Sequence, residues 1–240
     1  MLSYCVILLM SLCLCDFSVQ AEETLTVAVA SSVLIPAQKL AVQFEKMQHI
    51  RVKLISGSTG LLYSQIMHGA PYAVFMAADD VTPEKLIRQR GLPASAVETY
   101  AIGSLYLCVR GGAPDLKHLS GRIAMAEPQV APYGKAAEES LRASGVWAKV
   151  KADVIHTPNV MLAASYLQRG FVDAAFVASS AVSTSIKKRC EQVDESLHAP
   201  IRHRAVLLTS SAIGHAWFSF IRSPEMNMIW QQAGFNTEAR

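Results

Sequence analysis

Four times along this chain a β-prone apolar run ends in a short turn built from Ser, Thr, Gly or Pro, and the residues that follow switch to helical spacing. The first run is "TLTVAVA" (Thr24–Ala30). It is followed by "SS", after which Ala37, Leu40, Ala41, Phe44 and Met47 recur every three or four places. The second is "RVKLI" (residues 51–55), which passes through "GSTG" into a helical stretch that reaches His68. The third is "RIAMAEP" (122–128), which leads through "APYGK" to a helix ending near Gly145. The fourth is "DVI", which leads through "TPNVM" to a helix from Asn159 to Arg169. Further strands are expected at 73–78, 104–109, 173–178 and 204–209. Between them a helix has Thr82 as cap, Pro83 in its first turn and Gly91 at its end. Ile213, Trp217, Phe220 and Ile221 form a late helical stripe, and Ser223 with Pro224 starts a last helix. A period of two that repeatedly gives way to 3.6 predicts an α/β chain with parallel sheets flanked by helices.

The turns themselves carry chemistry. The first amides of a helix lack partners a turn earlier and carry partial positive charge, so they hold anions without a cationic side chain. A hydroxyl there adds a donor, and glycines allow close approach by a ligand. Taken singly, each turn reads first as an ordinary helix cap. Their recurrence between strand and helix, at the carboxyl edge where open sheets bind ligands, points instead to a shared oxyanion site.

Other classes are excluded by what the chain contains. Of 240 residues, 51% are hydrophobic and 17% charged, and the formal charge of +3 includes no basic run long enough to follow a nucleic acid. There is no "GxSxG", Walker or "HExxH" pattern, so the chain is not expected to be an enzyme. His198 and His203 in "HAPIRH" come nearest to a metal pair, but they sit in an expected loop without zinc-type spacing. The apolar run from Cys5 to Cys15 is too short to span a bilayer and is followed by Val19 and Ala21, so residues 1–21 are expected to be a cleaved export signal. That leaves Cys108 and Cys190, which either pair or stay as separate buried thiols.

In order and spacing, "TVAVASS", "GSTGLLYSQIMHGAP", "EPQVAPYGKAAEESL", "NVMLAASYLQRGFVDAAFV" and "QQAGF" together resemble the periplasmic molybdate-binding proteins of ABC importers, within the type II periplasmic solute-binding superfamily. The likeness spans nearly all of the chain after residue 21. It implies a two-lobed fold, each lobe a mostly parallel sheet flanked by helices, with the ligand cleft between them. Lobe one would be residues 22–102 with a return over 205–240, and lobe two residues 103–204. It also implies a periplasmic, monomeric receptor that needs no cofactor and delivers molybdate or tungstate to a membrane permease and its ATPase. The ligand donors by resemblance are the hydroxyls of Ser32 and Thr59 and the backbone amides of Tyr133 and Val160, with Ser31, Ser58 and Ser179 as weaker candidates. Two positions depart from the family pattern. Ala178 stands where a ligand Tyr is common, and Ala73 where an Asp is usual, which leaves open another oxyanion, a small organic anion, or a fold reused for sensing or interaction. Lys135 is expected to extend into solvent rather than into the cleft.

Overall fold

The computed structural model describes residues 23–183 and 186–237, so the expected export signal at 1–21 lies outside the described residues. Two five-stranded sheets carry the chain. The first contains β1 (Thr24–Ala30), β2 (Arg51–Gly57), β3 (Val74–Ala77), β4 (Val97–Gly103) and β10 (Ile201–Leu207), in the order β2-β1-β3-β10-β4. The second contains β5 (Leu105–Val109), β6 (Ile123–Ala126), β7 (Val154–Thr157), β8 (Ala174–Ala178) and β9 (Cys190–Gln192), in the order β7-β6-β8-β5-β9. The chain therefore crosses between sheets at Ser104 and again between Gln192 and Ile201.

The two sheets repeat one plan. β1 pairs in parallel with β2 and β3, and β6 pairs in parallel with β7 and β8. Antiparallel pairing enters where the chain crosses: β10 runs against β3 and β4, and β5 against β8 and β9. The parallel sheets expected from the strand and helix rhythm are thus mixed ones. Parallel neighbours follow from helical crossovers, whereas a strand that arrives from the other lobe has no such crossover to set its direction.

Helices α1 (Leu34–Gln48), α2 (Thr59–Met67), α3 (Val81–Arg90), α7 (Ala212–Phe220) and α8 (Asn227–Gln232) flank the first sheet, and α4 (Pro132–Ala143), α5 (Trp147–Val150) and α6 (Val160–Gln168) the second. The stripe read on α1 is buried at Ala37, Leu40, Ala41 and Phe44, while Met47 is left exposed at its end. Phe44 meets Trp217 of α7 edge to face at 5.2 Å, and each such buried aromatic contributes about 1.5–3 kcal/mol of burial. Gly91 closes α3 in the left-handed region as expected, but Thr82 is not the cap. The Asp79 carboxylate accepts from the Thr82 amide at 2.7 Å and from its hydroxyl at 3.0 Å. Burial raises the Asp79 pKa against that hydrogen bonding.

Cys108 and Cys190 face one another in the β5–β9 register and form a disulfide, which ties the three-residue edge strand β9 to the sheet. Among the described residues no helix is long and apolar enough to cross a membrane.

Candidate functional site

All four strand-to-helix turns come together where the lobes meet. β1 ends at Ala30 and a single 3-10 turn, Ser31–Val33, leads into α1, while β2 ends at Gly57 with Ser58 just ahead of α2. In the second lobe Ala131 precedes α4, and Asn159 precedes α6. Ser32 and Thr59 from the first lobe and Tyr133 and Val160 from the second line one small cavity, together with Ser31 and Ser58. The space open to the centre of a water-sized sphere is about 10 Å³, close to the volume that holds one water. Among the described residues no charged side chain lines it.

The hydroxyls are not acting as caps. Ser58 occupies the N-cap position of α2 but makes no side-chain cap bond, and neither the turn before α1 nor the start of α4 has one. Asn159 does cap, its side chain accepting from the Leu162 amide at 3.1 Å. Thr59 Oγ1 accepts from the Ala78 amide at 3.1 Å, which joins the end of β3 to the start of α2. Ser32 Oγ lies 3.1 Å from His203 Nε2. The amides of Tyr133 and Val160 belong to the first turns of α4 and α6 and have no carbonyl one turn back.

The lobes also touch directly. The Gly60 amide donates to the Val130 carbonyl at 2.9 Å, and a Cβ at Gly60 would lie 3.0 Å from Val130 Cα, so the first turn of α2 abuts the second lobe only because residue 60 is glycine. Ser180 Oγ donates to the Ser32 carbonyl at 2.6 Å.

His203 was expected in a loop and instead lies within β10, fully buried behind Ser32. Tyr100, Tyr133 and Phe235 surround its ring, with centroids 5.9, 5.9 and 5.1 Å away. Burial pushes the imidazole pKa down to about 3, against a smaller upward pull from the Ile201 backbone, so the ring is neutral at ordinary pH. The signal was present in "IRHRA", where Ile201, His203 and Ala205 alternate inward and Arg202 and Arg204 point out to Asp80 and Glu84. Desolvation also raises the Tyr133 pKa, and its hydroxyl is buried without a hydrogen-bond partner.

Other positions fall outside the cavity. Ser179 does not line it. Its hydroxyl is buried beside Gly234, where an added Cβ would meet Ser179 Cβ at 2.7 Å. Ala178 is fully buried at the end of β8 and contributes no hydroxyl. Ala73 serves the sheet, donating to Thr26 and accepting from Leu208, both at 2.8 Å. Lys135 is exposed in a neighbouring groove, 3.8 Å from Glu139. Among the described residues no cluster of His, Cys, Asp and Glu could hold a metal ion.

The chain is 33% identical to the molybdate-binding protein ModA of Azotobacter vinelandii, over 91% of this chain and 92% of that one. It is 30% identical to the molybdate-binding protein ModA of Rhodobacter capsulatus, over 88% and 87%. The solved periplasmic molybdate-binding protein of Azotobacter vinelandii superposes with a TM-score of 0.82 at 32% identity, covering 88% of this chain and 98% of that one. The bacterial extracellular solute-binding protein family matches residues 25–236, and the chain belongs to that family of binding proteins.

Proposed function

We propose that this protein is an exported, monomeric receptor that captures a tetrahedral oxyanion, molybdate or tungstate, and delivers it to a membrane ABC permease and its ATPase. Residues 1–21 are then a signal peptide removed on export to the periplasm. The lobes exchange chain at Ser104 and again just before Ile201. Ser32 and Thr59 donate through hydroxyls, and Tyr133 and Val160 through backbone amides. Ser31 and Ser58 complete the wall, and Ser179 is left out because its hydroxyl lies against Gly234.

One observation supports this reading: residues from four separate turns, two in each lobe, line one cavity, and among the described residues no charged side chain lines it. Opened beyond the one-water volume it has here, such a cavity favours a fully ionised oxyanion. Phosphate near neutral pH keeps a proton that needs an acceptor, and among the described residues no carboxylate lines the wall. Sulfate is the second reading, because Ala178 brings no hydroxyl to the site where the resemblance led one to expect a Tyr.

Calorimetric titration with molybdate, tungstate, sulfate and phosphate tests the proposal. Molybdate or tungstate should bind most tightly and phosphate least. A hydrogen bond to a charged group contributes about 1.5–3 kcal/mol, so the double variant S32A/T59A should bind about 100-fold more weakly or worse. Absence of heat with every oxyanion, or unchanged affinity in the double variant, refutes it.

A further inference from the structure

Ser32 has one proton, and the direction of that proton decides whether its oxygen attracts or repels an anion. Two arrangements fit the 3.1 Å separation from His203 Nε2. If Ser32 donates to the ring, its oxygen presents only lone pairs to the cavity. If the ring donates through Nε2–H, the Ser32 proton is free to point into the cavity.

We propose that His203, as the Nε2–H tautomer, is the positioning residue that turns the Ser32 hydroxyl toward the ligand. This rests on the oxyanion reading and deepens it. Three observations carry the assignment.

The first is the far side of the ring: Nδ1 is buried, and although the Ile201 backbone lies close enough to pull on the imidazole, no acceptor meets Nδ1 with hydrogen-bond geometry, whereas Nε2 has Ser32 Oγ at 3.1 Å. A buried N–H without a well-placed acceptor is rarer and more costly than an unused lone pair, so the proton belongs on Nε2.

The second is the second hydroxyl. Thr59 Oγ1 accepts from the Ala78 amide, a group that can only donate, so the Thr59 proton has to go elsewhere. His203 does for Ser32 what the backbone does for Thr59, and both oxygens are left with a proton to offer the cavity.

The third is how firmly the ring is held. It is fully buried among Tyr100, Tyr133 and Phe235, away from water that could take over the Ser32 bond. A Cβ at Gly103 would collide with Tyr133 Oη and lie 2.7 Å from His203 Cε1, so the glycine at the first crossing makes room for both rings. Ser180 meanwhile anchors the Ser32 carbonyl from the other lobe.

The test combines a spectroscopic and a binding measurement on the purified protein with molybdate as probe. Ring 15N shifts of His203 should show a proton on Nε2 and none on Nδ1, with and without molybdate. H203L keeps bulk but has no donor and should bind molybdate about 10- to 100-fold more weakly. H203Q carries a side-chain N–H at a similar reach and should recover most of that loss. In an S32A background, H203L should have little further effect, because the hydroxyl it orients is gone. A proton on Nδ1, an H203L affinity equal to wild type, H203Q as weak as H203L, or an undiminished H203L effect in S32A overturns the role of His203. If wild type binds none of the oxyanions, the oxyanion reading falls and this inference with it, whereas intact wild-type binding with any of the four results above overturns only this inference. The ring shifts keep the proposal testable if H203L does not fold.

Discussion

Acid should destabilise this protein through His203. The folded ring has its pKa near 3, against an ordinary value of 6.5, because burial among aromatic rings removes the water that would solvate an imidazolium. The titratable groups around it, Tyr100 and Tyr133, are themselves buried with raised pKa values and offer no negative charge in compensation. Between pH 6.5 and 3 the unfolded chain therefore binds a proton at this position that the folded chain does not. Stability then rises with pH across that window: the contribution is complete above about pH 6.5 and is lost as pH falls toward 3. At about 1.4 kcal/mol per pH unit the full loss is on the order of 5 kcal/mol, and roughly 2.5 kcal/mol of it falls between pH 7 and 4.5. Carboxylates held below their usual range by His or Ser partners, among them Glu127 and Asp115, also lose stability in acid, and the raised Asp79 acts in the opposite sense. Those groups are common to wild type and H203Q, so the difference between the two isolates the ring. Urea unfolding of both proteins from pH 8 to 4.5 should show wild type losing about 2.5 kcal/mol more than H203Q. Parallel profiles refute the reasoning, because they mean that the ring titrates alike folded and unfolded.

Two other perturbations have defined outcomes. G60A places a methyl 3.0 Å from Val130 Cα while improving helix propensity by up to about 1 kcal/mol, so ligand-free stability should hold or rise while molybdate affinity falls about tenfold. Thermal melting and calorimetry on the same sample check both signs, and an affinity that does not fall rejects the contact as part of closure. C108A/C190A releases a cross-link between residues 82 apart in sequence and should lower unfolding free energy by about 2–4 kcal/mol under oxidising conditions. An equal melting curve for the variant and the disulfide-bonded protein contradicts that.

The parts of this fold that could be read from the sequence are those set within a few residues. The strand, turn and helix units at β1–α1, β2–α2, β6–α4 and β7–α6 were visible because each switches period locally and has its punctuation in place. β4 was missed because "VETYAIG" mixes polar and apolar residues without a clean alternation, and its neighbours in the sheet come from the far end of the chain. β9 is three residues long and is held to the sheet by its pairing with β5 and the disulfide. The antiparallel strands at the crossings are set by tertiary pairing, which no local pattern encodes. The same division applies to the cavity. The donor residue types were legible in their turns, but what each hydroxyl accepts from was not: Ser32 meets His203 across 171 positions, and Thr59 meets Ala78 across a whole helix.

On the proposed function, the absence of a lysine among the described residues that line the cavity is itself informative. A cation about 4 Å from the ligand would attract any anion by about 4 kcal/mol at an effective dielectric near 20, whatever its shape or protonation. Directed donors behave differently, because each one left unmatched by a poorly fitting ligand loses its hydrogen bond in a place that water does not easily reach. They also depend on closure. Ser32 and Thr59 are separated in sequence from Tyr133 and Val160 by the crossing between sheets, so all four face one ligand only while the lobes are together. The direct contacts between lobes join the same residues to that closure. Ser180 grips the Ser32 carbonyl, and Gly60, next to Thr59, bonds to Val130 two residues before Pro132 begins α4. Separating the lobes breaks those bonds and pulls the donors off the ligand in one movement, so release to a permease need not overcome a charge that would hold the anion in either state.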